Sequence, residues 1–80
     1  APARVKLDEL EIGKQTKVMG ITDHSDAFLA HLKKLNLELG VAFQLKERSN
    51  FDRSIEIELN GKTIQLSQEV AKNIFVSYNS

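Results

Sequence analysis

Residues 54–66, "SIEIELNGKTIQL", limit the possible folds more than any other stretch of this chain. Ile55, Ile57 and Leu59 alternate with Glu56 and Glu58, the period of a strand with one dry and one wet face. Asn60-Gly61 comes next, and both residues accept the positive φ that a two-residue type I′ turn requires. "KTIQL" (62–66) then returns with Ile64 and Leu66 on the dry side. Strands with a single apolar face belong to an antiparallel sheet curled over one core, not to a parallel sheet buried on both sides.

The flanking segments supply the rest of that sheet. "VAFQLKE" (41–47) alternates Val41, Phe43 and Leu45 against Ala42, Gln44 and Lys46. "KQTKVMGIT" (14–22) reads as a strand with Val18, Met19 and Ile21 apolar, and Gly20 inside it predicts a bulge or sharp bend. "KLDELEIG" (6–13) reads as a turn-like approach with Leu7, Leu10 and Ile12 pointing inward. Between the strands the period changes. Phe28, Leu29, Leu32 and Leu35 recur at helical spacing, with Ser25 or Asp23 as N-cap, Asp26 in the first turn, and Lys33 and Lys34 near the C-terminal end. "NLELG" (36–40) stops this helix, with Leu37 and Leu39 alternating and Gly40 allowing a tight turn. "SQEVAKNI" (67–74) forms one short helical stretch capped by Ser67, with Val70 and Ile74 inward, and "FVSY" (75–78) supplies a last strand. Phe28, Phe43 and Phe75 fall on apolar faces and are core candidates, and Phe51 is expected to fold back onto the sheet. The pattern is mainly β: a small, partly closed antiparallel barrel of about five strands, with one inserted helix and a short C-terminal helical turn. It is one domain over residues 5–78, preceded by a flexible segment 1–4.

Composition excludes several classes of function. A chain of 80 residues buries only about 60–65% of its unfolded surface, which leaves little room for a deep catalytic cleft. Eleven basic residues balance eleven acidic ones, so the chain lacks the cationic excess that displaces counterions from nucleic acid. Without cysteine there is neither a disulfide framework nor a thiolate metal site, which suits a cytoplasmic protein. No apolar run approaches the length of a spanning helix, and no signal peptide opens the chain. The start "APAR", without methionine, reads as a segment of a longer protein or a processed end.

The residues of ligand type cluster in "DHSDAFLAHL" (23–32), where Asp23, His24, Asp26 and His31 gather. His24 and His31 are seven residues apart, roughly 10 Å along a helix axis, whereas two imidazoles on one ion each stand about 2 Å from it. The i±3 and i±4 neighbours of His31 are Ala27, Phe28, Lys34 and Leu35, none of them a ligand. Asp23 and Asp26 have simpler work at a helix N-terminus, so no metal ligand is assigned. Serines stand at 25, 49, 54, 67, 77 and 80 without a G-x-S-x-G elbow, and the glycines at 13, 20, 40 and 61 are too dispersed for a phosphate loop. No catalytic or cofactor-binding residue is assigned, and the chain is read as a non-enzyme. The one stretch suited to stacking on nucleic-acid bases is Phe51 between Arg48 and Arg53.

The order of elements resembles the FeoA-type, SH3-like barrel domain over about residues 5 to 76. The similarity lies in the L-x-x-L…G opening (Leu7, Leu10, Gly13), the helix end "LKKLNLELG" (Leu32 to Gly40) and the closing short helix with "IFV". Two kinds of protein carry such domains: free-standing FeoA, a cytosolic partner of the bacterial ferrous-iron permease, and metal-dependent repressors of the diphtheria-toxin-repressor family. "DHSDAFLAHL" resembles the D-x-S-x-x-F-L-x-x-L helix start of the repressors, and "NFDRSIEI" resembles their F-D-x-S segment. The resemblance implies an accessory C-terminal domain in an iron- or manganese-dependent DNA-binding repressor. In such a parent the other domains hold DNA and the Mn2+ or Fe2+, and this domain contacts them, within one chain or across a homodimer. No cofactor, nucleic acid or membrane is expected for the segment itself. The alternative is a free-standing cytoplasmic partner of a ferrous-iron permease.

Overall fold

A computed structural model describes residues 4–78. Six antiparallel strands make one partly open sheet in the order β1-β6-β2-β3-β4-β5: β1 Arg4–Lys6, β2 Gln15–Ile21, β3 Ala42–Arg48, β4 Ile55–Leu59, β5 Lys62–Leu66 and β6 Ile74–Ser77. A 3-10 turn at Leu7–Glu9 follows β1, α1 (Asp26–Lys34) joins β2 to β3, and α2 (Gln68–Ala71) joins β5 to β6. The mainly-β, SH3-like architecture is the one the sequence pattern predicts.

The differences are local and have identifiable causes. The added strand is β1, which pairs Arg4 with Ser77, Val5 with Val76 and Lys6 with Phe75; three residues are too few to display an alternation. Arg4 opens this strand, and the rest of the expected flexible segment, residues 1–3, lies outside the described residues. α2 ends at Ala71, so Ile74 is buried as the first residue of β6 and not as part of a helix. Ile12, read as inward, is 56% exposed: it stays outside the core cluster that Leu7 and Leu10 join and borders a surface depression with Lys46 and Glu47. Phe43 is buried as expected, whereas Phe28 and Phe75 are half-buried at its margin.

The hairpin that dominates the sequence forms in register. Leu59 pairs with Lys62 across the turn, and Asn60 and Gly61 take φ values of 52° and 79°, the left-handed pair that a type I′ turn needs. Ile55, Ile57, Leu59 and Leu66 from this hairpin meet Leu45, Ile74 and Val76 in the core. Gly20 stands at the register shift between β2 and β6, the bulge that its place in the strand predicts. The guanidinium of Arg4 lies 4.7 Å from the centroid of the Phe75 ring and 3.5 Å from where a Cβ on Gly20 would stand.

Candidate interaction surface

α1 is held at both ends by local hydrogen bonds that its sequence specifies. At its start Asp23 Oδ1 accepts from the Ser25 amide at 2.9 Å, and Ser25 Oγ accepts from the Phe28 amide at 3.3 Å. The N-cap is therefore Ser25, with Asp23 supporting it. The Ser25 amide, then its hydroxyl and the charge of His24, hold the Asp23 carboxyl below its ordinary range. At the other end Asn36 takes a left-handed φ of 61°. The Asn36 amide donates to the Lys33 carbonyl at 3.1 Å and the Leu37 amide to the Leu32 carbonyl at 2.9 Å, the paired bonds of a Schellman motif. That closure buries Leu37 with Leu32.

The ligand-type residues of this stretch separate. His24 lines the groove between α1 and β2, whereas His31 lines a second depression with Asp23, Glu69 and Asn73. Among the described residues, no three His, Asp or Glu side chains converge as a metal site. The hydroxyls of the serines at 25, 49, 54, 67 and 77 each take part in a local or backbone-directed hydrogen bond. Ser80 lies outside the described residues.

A second D-x-S turn builds the loop between β3 and β4. Asp52 Oδ1 accepts from the Ser54 amide at 3.0 Å and from its hydroxyl at 2.8 Å, and Ser49 Oγ accepts from the Phe51 amide at 3.1 Å. The Ser54 amide, and then its hydroxyl, lower the Asp52 carboxyl from its ordinary value. Two backbone bonds, Ser49 amide to Ser54 carbonyl and Arg53 amide to Ser49 carbonyl, close the loop. Phe51 does not fold back onto the sheet. It stands at the loop tip, 97% exposed, because the turn bonds fix the backbone with its side chain outward. Arg48 points the other way and donates from Nη2 to the Leu10 carbonyl at 2.6 Å. Of the two arginines flanking Phe51 in sequence, Arg48 is thus bound to the body of the domain.

The largest apolar feature is a groove of about 630 Å³ between α1, β2 and the loop after α1. Its floor is the buried Val18, Leu32 and Leu37, and its rim carries Met19, Leu29 and Leu39, which are 38%, 43% and 73% exposed. His24, Lys33 and Glu38 are the polar side chains around it. The sequence held a signal for Met19: consecutive residues of a strand face opposite ways, so Val18 and Met19 cannot both enter the core. Leu37 and Leu39 are two apart and would share a face in a strand; they lie instead in the turn after α1, where the Schellman closure buries Leu37 and leaves Leu39 outside. Scattered exposed leucines are ordinary, but apolar side chains gathered around a groove mark a contact surface. None of the described helices is long and apolar enough to cross a membrane.

A family model of the FeoA domain matches residues 5–78. No curated protein matches the sequence. Among solved structures, a manganese-dependent transcriptional repressor superposes with a TM-score of 0.87 at 20% identity, over 99% of this chain and 44% of its own. The apo form of the manganese-activated repressor ScaR superposes at 0.84 and 21% identity, over 94% of this chain and 35% of its own. An FeoA-like protein from Clostridium acetobutylicum superposes at 0.83 and 21% identity, over 100% of this chain and 92% of its own. The chain thus spans less than half the length of these repressors and nearly the full length of the clostridial protein.

Proposed function

The chain belongs to the FeoA domain family, and on that premise we propose that it is the accessory C-terminal domain of an iron- or manganese-dependent DNA-binding repressor. It acts through contacts with other domains and does not itself hold DNA. The observation that carries this reading is the Met19, Leu29 and Leu39 groove, an exposed and mainly apolar surface of the kind that proteins bury in contacts. The balanced charge of the chain fits a module that leaves phosphate contacts to other parts of the protein. The two D-x-S turns, at Asp23 and Asp52, are the segments that resemble the repressors, and they fix the start of α1 and the β3–β4 loop. Mn2+ or Fe2+ belongs, in this reading, to the parent's other domains, and the protein works in the cytoplasm. The test is the reading frame that encodes the chain. An upstream helix-turn-helix and a helix rich in His, Glu and Asp in the same frame is the expected result, and a frame opening a few residues before Ala1 overturns it.

The second reading, a free-standing FeoA-like partner of a ferrous-iron permease, is favoured by one observation: the fold superposes over 100% of this chain on an FeoA-like protein, with a TM-score of 0.83. It predicts that the chain co-purifies with the cytosolic part of such a permease, and failure to do so removes it.

A further inference from the structure

The groove carries charge as well as apolar surface. Lys33 and Glu38 both line it and both are exposed. The ion pairs among the described residues are Lys46–Glu58 and Lys72–Glu69, so neither groove charge is paired within the described part of the chain. The same rim also holds a knob and a hole: Leu39 projects at 73% exposure beside a cleft floored by Val18, Leu32 and Leu37. A surface that offers one unpaired base, one unpaired acid, a protruding leucine and a cleft is complementary to itself. A two-fold contact requires that kind of patch, because residue i meets j wherever j meets i.

We propose that the occupant of the groove is the same groove of a second copy of this chain. Leu39 of each copy enters the cleft of the other, and Lys33 of each meets Glu38 of the other. The proposal rests on reading the groove as a contact surface, and not on the choice between repressor domain and permease partner. A standard interface takes about 800 Å² from each partner, roughly a seventh of the 5220 Å² accessible here. One groove face supplies less than that, so the dimer is weak and concentration-dependent.

The experiment is sedimentation equilibrium of the 80-residue chain from about 10 µM to about 1 mM at low salt. A monomer–dimer equilibrium is expected, weakening as salt is added. Lys33→Glu and Glu38→Lys each place like charges across both halves of the two-fold contact and raise the dimer dissociation constant by about tenfold or more. Mixing the two single variants restores association as a heterodimer. In that pair the acid introduced at position 33 of one chain faces the base introduced at position 38 of the other, and the unaltered Glu38 of the first faces the unaltered Lys33 of the second. The double variant restores the homodimer. Leu39→Ser abolishes dimer while leaving the circular dichroism spectrum unchanged, because Leu39 lies outside the core. A chain that stays monomeric at the highest concentration overturns the proposal. So does a dimer indifferent to all of these changes, which would place its interface on another face, such as that around Phe51. Neither result bears on the reading frame or the permease, so this proposal and the functional reading fail independently.

Discussion

Asp52 accepts two hydrogen bonds from Ser54 through a single carboxylate oxygen, one from the amide at 3.0 Å and one from the hydroxyl at 2.8 Å. Ser54 is buried, and its hydroxyl in turn accepts from Gln65 Nε2 at 3.3 Å. The turn therefore ties the β3–β4 loop to β5. Asp23 and Ser25 repeat the amide half of this arrangement at the start of α1.

This arrangement predicts an acid-sensitive component of stability. The Asp23 and Asp52 carboxyls are held below the ordinary value of 3.8. A depressed folded pKa stabilises the fold fully above the unfolded value and ceases to do so as pH falls through the folded one. Urea unfolding of the chain and of Asp52→Asn should differ by a constant amount from neutral pH down to about pH 5. Below that the difference should shrink, with the parent chain the more stable throughout. A difference that widens on acidification contradicts the assignment.

Phe51 gives a prediction of the opposite kind. At 97% exposure its ring contributes nothing to the core, so Phe51→Ser should shift unfolding free energy by no more than about 0.5 kcal/mol. A core phenylalanine truncated in this way would cost about 3–5 kcal/mol, which a urea titration separates easily. An oligonucleotide titration at low salt should be flat for both proteins, and salt-dependent binding lost with Phe51 would reinstate nucleic acid as a ligand.

Local chemistry was legible where it depends on neighbours in sequence. The Asn60-Gly61 turn, a cap at Ser25 or Asp23, a bulge or bend at Gly20 and the buried faces of β3 and β4 all follow from spacing and residue type. β1 was not, because its three residues are defined by their pairing with β6 across most of the chain. Phe51 misled for a related reason: its apolar ring suggests burial, whereas hydrogen bonds to Ser49 and Ser54 dictate where its backbone points. The groove was the least legible part. Its floor combines Val18 with Leu32 and Leu37, and only the packing of α1 against β2 brings them together.

The separation of the two histidines bears on metal. His24 lines the α1–β2 groove and His31 the depression beside Glu69, so the two histidines border different cavities. Calorimetric titration of the chain with Mn2+ or Fe2+ should give no binding heat. Micromolar binding that disappears on His24→Ala would overturn this, and would require a ligand from a residue distant in sequence.

The left-handed Asn36 couples backbone conformation to the groove. Its φ of 61° is strained for a residue with a Cβ, although asparagine tolerates it better than most. Asn36→Gly removes that strain and keeps both Schellman bonds, so stability should rise by up to about 0.5 kcal/mol. Asn36→Val meets the full steric penalty, about 1–2 kcal/mol, and should destabilise by that amount. The same change loosens the bond from the Leu37 amide to the Leu32 carbonyl, which holds Leu37 in the groove floor. Asn36→Val should therefore also raise the deuterium exchange rate of the Leu37 amide more than it raises global opening. Equal changes in both rates would mean that the groove floor is fixed by core packing, with the helix end contributing nothing of its own.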